Sequence, residues 1–234
     1  MEQIFYRVLK PLEEPKGEVL TTNRQSEFRK EVLAYWNLSQ DIFNLAQNTG
    51  LLILNAVRIA ENVPAYWEDD LKVFLLSMQS DYDLRKMLIS DPIKTIHRND
   101  LMEFAVNYIS HMNETGLYYD WGQNTYIWEY IWEMVRISDY SDKPSRIESQ
   151  FFFDNIDNAK IFNSQIHGND YQLARIHLLE GDFQSFDMSW FSDIPSDITI
   201  SEAEVYARNY WEQKQTDHPV MEFLFQGKYR WNDV

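Results

Sequence analysis

Glu222 stands in the segment Val220-Met221-Glu222-Phe223-Leu224-Phe225-Gln226, where a carboxylate interrupts an otherwise apolar run. In an extended chain successive side chains alternate between two faces, so Met221, Phe223 and Phe225 share one face and Glu222, Leu224 and Gln226 the other. Such a Glu is either an exposed edge residue, the commoner fate by about two to one, or a group that lines a cleft and stabilises developing positive charge. Two further polar groups lie near strand signatures: Tyr6-Arg7 within IFYRVLK (4–10), and Ser145, Arg146 and Ser149 within PSRIESQFFFDN (144–155). Pro144 fixes its own φ and drives Lys143 to an extended conformation, while Phe151-Phe152-Phe153 favours a pleated, buried surface. The segment therefore reads as a polar edge feeding an aromatic strand. Each residue also has a bland reading: Arg7 pairs with a nearby acid, Ser149 caps a turn, and the phenylalanines are core.

Other chemistries are poorly represented. The chain has no cysteine, which excludes disulfides, thiolate nucleophiles and Cys-ligated metal centres. It has no G-x-S-x-G, P-loop or G-x-G-x-x-G, and His97, His111, His167, His177 and His218 show no H-E-x-x-H spacing. Glu129 and Glu133 in IWEYIWEM share a helical stripe, yet the Glu-x-x-His partners of a helical carboxylate metal site are absent in series. Arg136 follows Glu133 at i,i+3 spacing, so a structured helix face is the simpler reading and no metal is expected.

The elements that must position these residues follow from periodicity. The segment 4–10 reads as a first strand ended by Pro11, Pro15 and Gly17, and Glu18–Thr22 as a second extended piece. From about residue 23 to 137 the period becomes helical. One helix is expected over Phe28–Trp36, a mostly buried one over Ile42–Ala60, and others over Ala65–Met78, Tyr82–Ser90, Asn99–Met112 and Asn124–Ile137, with an Asp100–Glu103 capping signal. After Pro144, strands are expected over Gln150–Phe153, Tyr171–Leu179, Gln184–Trp190 and Val220–Trp231, with helices over Ile156–Gln165 and Glu202–Gln213. The expected fold class is α+β: a sheet built from the N-terminal strand and the C-terminal third, with a large helical block in the middle. At 234 residues with 44% hydrophobic and 15% aromatic content, one domain over 1–234 with a helical insertion at about 23–137 is expected.

A formal net charge of −16 without a dense basic run argues on electrostatic grounds against general nucleic-acid binding. The N-terminal MEQIFYRV lacks a basic region ahead of an apolar stretch, and the most apolar helical segment is interrupted by Asn44, Gln47, Asn48, Asn55 and Arg58, so a cytoplasmic, non-membrane protein is expected.

Taken in order, FYRV, PSRIESQFFFDNIDNAKIF, FDMSWF, ARNYW and MEFLFQGKYRW resemble a bacterial family of uncharacterised domains associated with the ADP-ribosyltransferase-like fold. The resemblance covers both ends of the chain and leaves the helical middle aside. It implies an NAD-binding cleft without a Rossmann motif, with NAD as substrate and an unidentified macromolecular acceptor for ADP-ribose. It further implies catalytic roles for Arg7 on the first strand, Ser149 with Phe151 on a middle strand, and Glu222 on a late strand. Tyr6, Arg7, Ser145, Arg146 and Phe151 would contact the nucleotide. The chain departs from the pattern in lacking a Ser-Thr-Ser motif, and Val220 stands two residues before Glu222 where arginine-directed members carry a second acid. The alternative from another class is a non-enzymatic acidic binding or immunity-type protein that caps a basic protein partner.

Overall fold

The computed structural model describes residues 4–9, 14–22, 27–62, 82–83, 93, 95–120, 125–167, 171–195 and 197–234. The chain divides into two compact units, one formed by Met1–Arg29, Val135–Asp193 and Arg208–Val234, the other by Lys30–Met134 and Ile194–Ala207.

The first unit is organised by an antiparallel sheet. Its strands are β1 (Phe5–Leu9), β2 (Leu20–Thr21), β5 (Gln150–Phe152), β6 (Gln172–Asp187) and β7 (Met221–Asp233). The order is β1-β6-β7-β2, with β5 also paired to β7. The long β6–β7 pair runs from Ala174 opposite Asp233 to Asp187 opposite Met221. Tyr6 and Phe153 exchange backbone hydrogen bonds of 2.7 and 2.8 Å, so the chain just past β5 reaches β1 and the sheet curls back on itself. The alternation dictated by sequence then separates an inner face from an outer one. Phe5, Phe152, Phe223, Phe225 and Tyr229 belong to one buried aromatic cluster on the inner face. Its rings meet at centroid distances of 5.1 Å for Phe5–Phe223 and 5.5 Å for Phe152–Phe225. Burying each such ring contributes on the order of 1.5–3 kcal/mol, which explains why these phenylalanines specify the register.

The expected strands over Tyr171–Leu179 and Gln184–Trp190 are one continuous strand, and its end differs too: Ser189–Ser192 is a helical turn. Gly181 lies inside that strand, opposite Gly227 of β7. A Cβ on either glycine would stand 2.6 Å from the Cα of the other, so the two strands approach at a point where no side chain fits. Gly181→Ala or Gly227→Ala is therefore expected to lower stability towards the upper end of the roughly 1–3 kcal/mol typical of overpacking. Urea denaturation measures this directly, and an unchanged midpoint would contradict the close-approach account.

Helices α1 (Glu27–Ala34), α2 (Trp36–Thr49), α3 (Ile53–Asn62), α4 (Arg98–Thr115), α5 (Thr125–Asp139), α6 (Ile156–His167), α7 (Ser189–Ser192) and α8 (Ile200–Trp211) complete the described elements, with the short strand pair β3 (Tyr82–Asp83) and β4 (Thr95–Ile96). The helical middle and the sheet built from both ends agree with the α+β expectation. Details of the middle differ. The helix expected over Ile42–Ala60 is broken at Gly50, whose φ of 74° ends α2 and whose N–H bonds the Ala46 carbonyl at 2.9 Å. Tyr82–Asp83 is strand rather than the start of a helix, while the rest of the expected helix over Tyr82–Ser90, and that over Ala65–Met78, lie outside the described residues. Helix α4 starts at Arg98 with His97 at the N-cap, so Asp100 sits in the first turn and makes no cap. The capping box belongs instead to α8, where Thr199 N–H donates to Glu202 at 2.8 Å and the Glu202 N–H reaches back to the Thr199 hydroxyl.

Inside the second unit, α2 and α4 are tied by a 2.7 Å pair between Asp41 and His111. Ser39 and Tyr119 share a 2.9 Å hydrogen bond, and the Tyr119 N–H donates to the Tyr108 hydroxyl. Burial pushes both tyrosine hydroxyls upward in pKa. Among the described residues no helix is long and apolar enough to cross a membrane.

Candidate functional site

Glu222 lies at the start of β7, a strand with neighbours on both sides, and is only 2% exposed. The exposed-edge reading of this residue is thus overturned. Alternation places it on the outer face, opposite in direction to Phe223, with Leu224 and Gln226 following on the same side. Phe151 pairs directly with Leu224, which puts its ring on that outer face as well.

Two side chains from distant segments meet the carboxylate. Arg146, on the turn between α5 and β5, donates through Nη1 to Glu222 Oε1 and, at 2.7 Å, to the hydroxyl of Tyr210. Tyr210, in the last turn of α8, donates in turn to Glu222 Oε1 at 2.8 Å. The guanidinium carbon of Arg146 stands 4.9 Å from the ring centre of Phe151, 4.4 Å from Phe191 and 5.2 Å from Tyr210. A buried carboxylate and guanidinium thus share an aromatic box, in which each cation–ring contact contributes about 0.5–2 kcal/mol. Taking both charges out of water is costly, so the pair persists only because the hydrogen bonds and ring faces compensate it. Burial raises the Tyr210 hydroxyl pKa well above its ordinary value and keeps it a donor.

Asp187 fixes the approach to Glu222. It is fully buried at the end of β6 and accepts the backbone N–H of Ser189 at 3.0 Å, of Thr216 at 2.7 Å and of Val220 at 2.9 Å, with the Thr216 hydroxyl at 2.8 Å. These bonds hold the loop that leads into β7. Burial alone would raise the Asp187 pKa, yet the four hydrogen bonds to its ionised form outweigh burial and hold the carboxyl below its ordinary value. A depressed folded-state pKa adds stability that is present above the unfolded value of about 3.9 and lost as pH falls through the folded value. Asp187→Asn is therefore expected to lower the melting temperature at pH 7 and to flatten its fall below about pH 4. Melting curves from pH 7 to pH 2.5 check this, and parallel acid limbs in the two proteins would contradict it.

The remaining sequence-predicted residues separate into two places. Ser149 belongs with the Glu222 face: its hydroxyl accepts from Gln226 Nε2 at 3.3 Å and donates to the Ser145 carbonyl at 2.6 Å. The Ser145 hydroxyl is buried and has no hydrogen-bond partner among the described residues. Arg7 belongs to the inner face. It follows Phe5 by two residues, and its Nη1 donates to Glu14 at 2.7 Å and to the Tyr229 hydroxyl at 3.0 Å, while Tyr229 donates to Glu14 at 3.0 Å. Tyr229 packs against Phe152, on the side of the sheet away from Glu222. The structure therefore does not gather Arg7, Ser149 and Glu222 in one cleft: Arg7 takes the nearby acid that its simpler reading required. Tyr6 faces outward, half-buried against the cluster of Phe153, Ala159 and Met188.

Residues 74–232 match the family described as "Protein of unknown function (DUF2441)". The chain belongs to this family. No curated protein matches it. The part shared with DUF2441 contains Arg146, Phe151, Phe191, Tyr210 and Glu222, whereas Arg7 and Glu14 precede it.

Further along the same outer face of β7 the DUF2441 chain has an open pocket of about 310 Å³, lined by Thr21, Thr22, Glu180, Gly181, Gln226, Gly227 and Lys228. Gln226 connects it to Ser149, and the strip from Glu222 to Lys228 carries the buried Leu224 between its polar groups. At about 3.3 Å per residue this strip spans roughly 20 Å. Tyr210, Phe191 and Asp187 stand within the quoted ARNYW and FDMSWF, but the sequence reading gave them no role. Nothing local in ARNYW or MSWF distinguishes them, because their roles depend on contacts made only in the folded chain. Among the described residues no group of three or more His, Asp or Glu side chains is placed to hold a metal ion, and Glu129 and Glu133 are both buried.

Proposed function

We propose that the outer face of the sheet around Glu222 binds NAD and that Glu222 supports transfer of ADP-ribose to an acceptor. The observation that carries this reading is a carboxylate buried on an inner strand inside an aromatic box that already accommodates a planar cation. NAD presents such a cation in its nicotinamide ring. When the bond between ribose C1′ and the ring nitrogen breaks, the electron pair leaves with nicotinamide, and positive charge passes to the ribose. A fixed carboxylate favours the transition state if it stands nearer C1′ than the ring centre, because it then gains more from the charge arriving on the ribose than it loses from the charge leaving the ring. The acceptor nucleophile then bonds to C1′ and gives up its proton.

In this reading Gln226, held by Ser149, offers its amide to ribose oxygens, and the strip leading to the pocket lined by Thr21 and Lys228 has the length of an extended dinucleotide. Arg7 is a positioning residue, tying the Glu14 segment to β1 and β7. Ligand that binds only the folded state raises the melting temperature. Millimolar NAD is expected to raise it by several degrees, on the order set by 1–3 kcal/mol of binding linkage. No shift at millimolar NAD, together with no release of nicotinamide, would remove the enzyme reading.

A second reading is favoured by the net charge of −16: an acidic surface that caps a basic protein. It predicts a salt-sensitive complex that survives substitution of Glu222. Co-purification at low and high salt separates the two readings.

A further inference from the structure

We infer that the guanidinium of Arg146 is an exchangeable occupant of an organic-cation site formed by Glu222, Phe151, Phe191 and Tyr210, and that the nicotinamide ring of NAD is the ligand that replaces it. This rests on the NAD reading for the identity of the ligand, but not for the existence of the cation site. A carboxylate together with three rings whose centres stand 4.4–5.2 Å from the guanidinium carbon between them is a receptor for a planar or alkylated cation, whichever molecule supplies it.

The host and the occupant differ in how they are held. Glu222 is on a strand paired on both sides, and Tyr210 is on a helix. Arg146 is on the irregular segment between Tyr140 and Ser149, which is fastened by turn contacts such as Lys143 N–H to the Tyr140 carbonyl and Ser149 N–H to the Arg146 carbonyl. Its guanidinium can leave without breaking the sheet ladder. An internal occupant lowers apparent affinity in proportion to the fraction of molecules in which it is displaced. Arg146 thereby sets how much ligand is needed to fill the site.

The test uses the full chain, wild type and Arg146→Ala, with 1-methylnicotinamide chloride and methylguanidinium chloride as probes and sodium chloride at matched ionic strength as reference. Arg146→Ala is expected to melt lower than wild type and to recover by several degrees with about 10 mM of either cation, while wild type barely responds. NAD is expected to bind the variant more tightly than wild type by about 10²-fold or more. A folded variant that neither cation stabilises beyond the sodium chloride reference overturns the cation site. If Arg146→Ala does not fold, Arg146→Lys keeps a charge beside Glu222 but withdraws the planar group from the rings. Binding of 1-methylnicotinamide to it about tenfold tighter than to wild type supports the exchange, and equal binding overturns it. Stabilisation by the small cations with no NAD binding to either protein keeps the cation site and removes the NAD reading. NAD binding of equal strength to wild type and variant keeps that reading and overturns the exchange.

Discussion

Arg146→Met is expected to destabilise the folded chain by about 3–5 kcal/mol, the cost of leaving a buried charge without its partner. The arginine and Glu222 are 5% and 2% exposed, so water cannot compensate either group once the other is gone. Methionine fills much of the volume against Phe151, Phe191 and Tyr210, which isolates the electrostatic loss from a cavity loss. The double substitution Arg146→Met with Glu222→Leu removes both charges and is expected to recover most of the loss. Urea denaturation of the four proteins yields the coupling between the two positions. A single variant within about 1 kcal/mol of wild type would show that the pair is not the buried unit described here.

Glu222→Gln is expected to reduce release of nicotinamide from NAD by about 10²–10³-fold or more, as loss of a preorganised charge-stabilising group does. The amide oxygen can still accept from Arg146 and Tyr210, so the shape of the site is preserved while its negative charge is lost. It also leaves Arg146 without a counter-ion, so the comparison belongs at a temperature where circular dichroism shows both proteins folded. Tyr210→Phe separates charge from geometry: it removes one donor to Glu222 Oε1 and keeps the carboxylate. Its turnover is expected to fall far less than that of Glu222→Gln. Equal losses in the two variants would assign the effect to disrupted packing.

Much of the sheet was legible because strands advertise themselves with a two-residue period. The alternation in 221–226 put Glu222 on one face and Phe223 on the other, and the folded β7 keeps that division. The Phe151–Phe153 run and the IFYRVLK segment likewise became β5 and β1. Where a residue had to be read against distant partners, the signal was absent. The burial of Glu222 depends on Arg146, 76 residues away, whereas Arg7 pairs with Glu14, seven residues away, as its simpler reading required. Gly181 falls in the gap between the strands expected over Tyr171–Leu179 and Gln184–Trp190. Its actual requirement is the contact with Gly227, which no local pattern encodes. Similarly, Gly50 splits one long apolar stretch into α2 and α3, because its left-handed backbone stops a helix that hydrophobic periodicity alone would continue. The ordered motifs placed Arg7 and Glu222 in one constellation, whereas the curl of the sheet gives them opposite faces and brings Arg146 and Tyr210 to the carboxylate instead.

The central claim is that the Glu222 face receives NAD through its carboxylate. Calorimetric titration of NAD into wild type and into Glu222→Gln, both verified as folded, tests it most directly. The account predicts saturable binding to wild type and binding at least about tenfold weaker to the variant, equivalent to roughly 1.4 kcal/mol. Binding of equal strength to both proteins, or none to wild type at millimolar NAD, would contradict it.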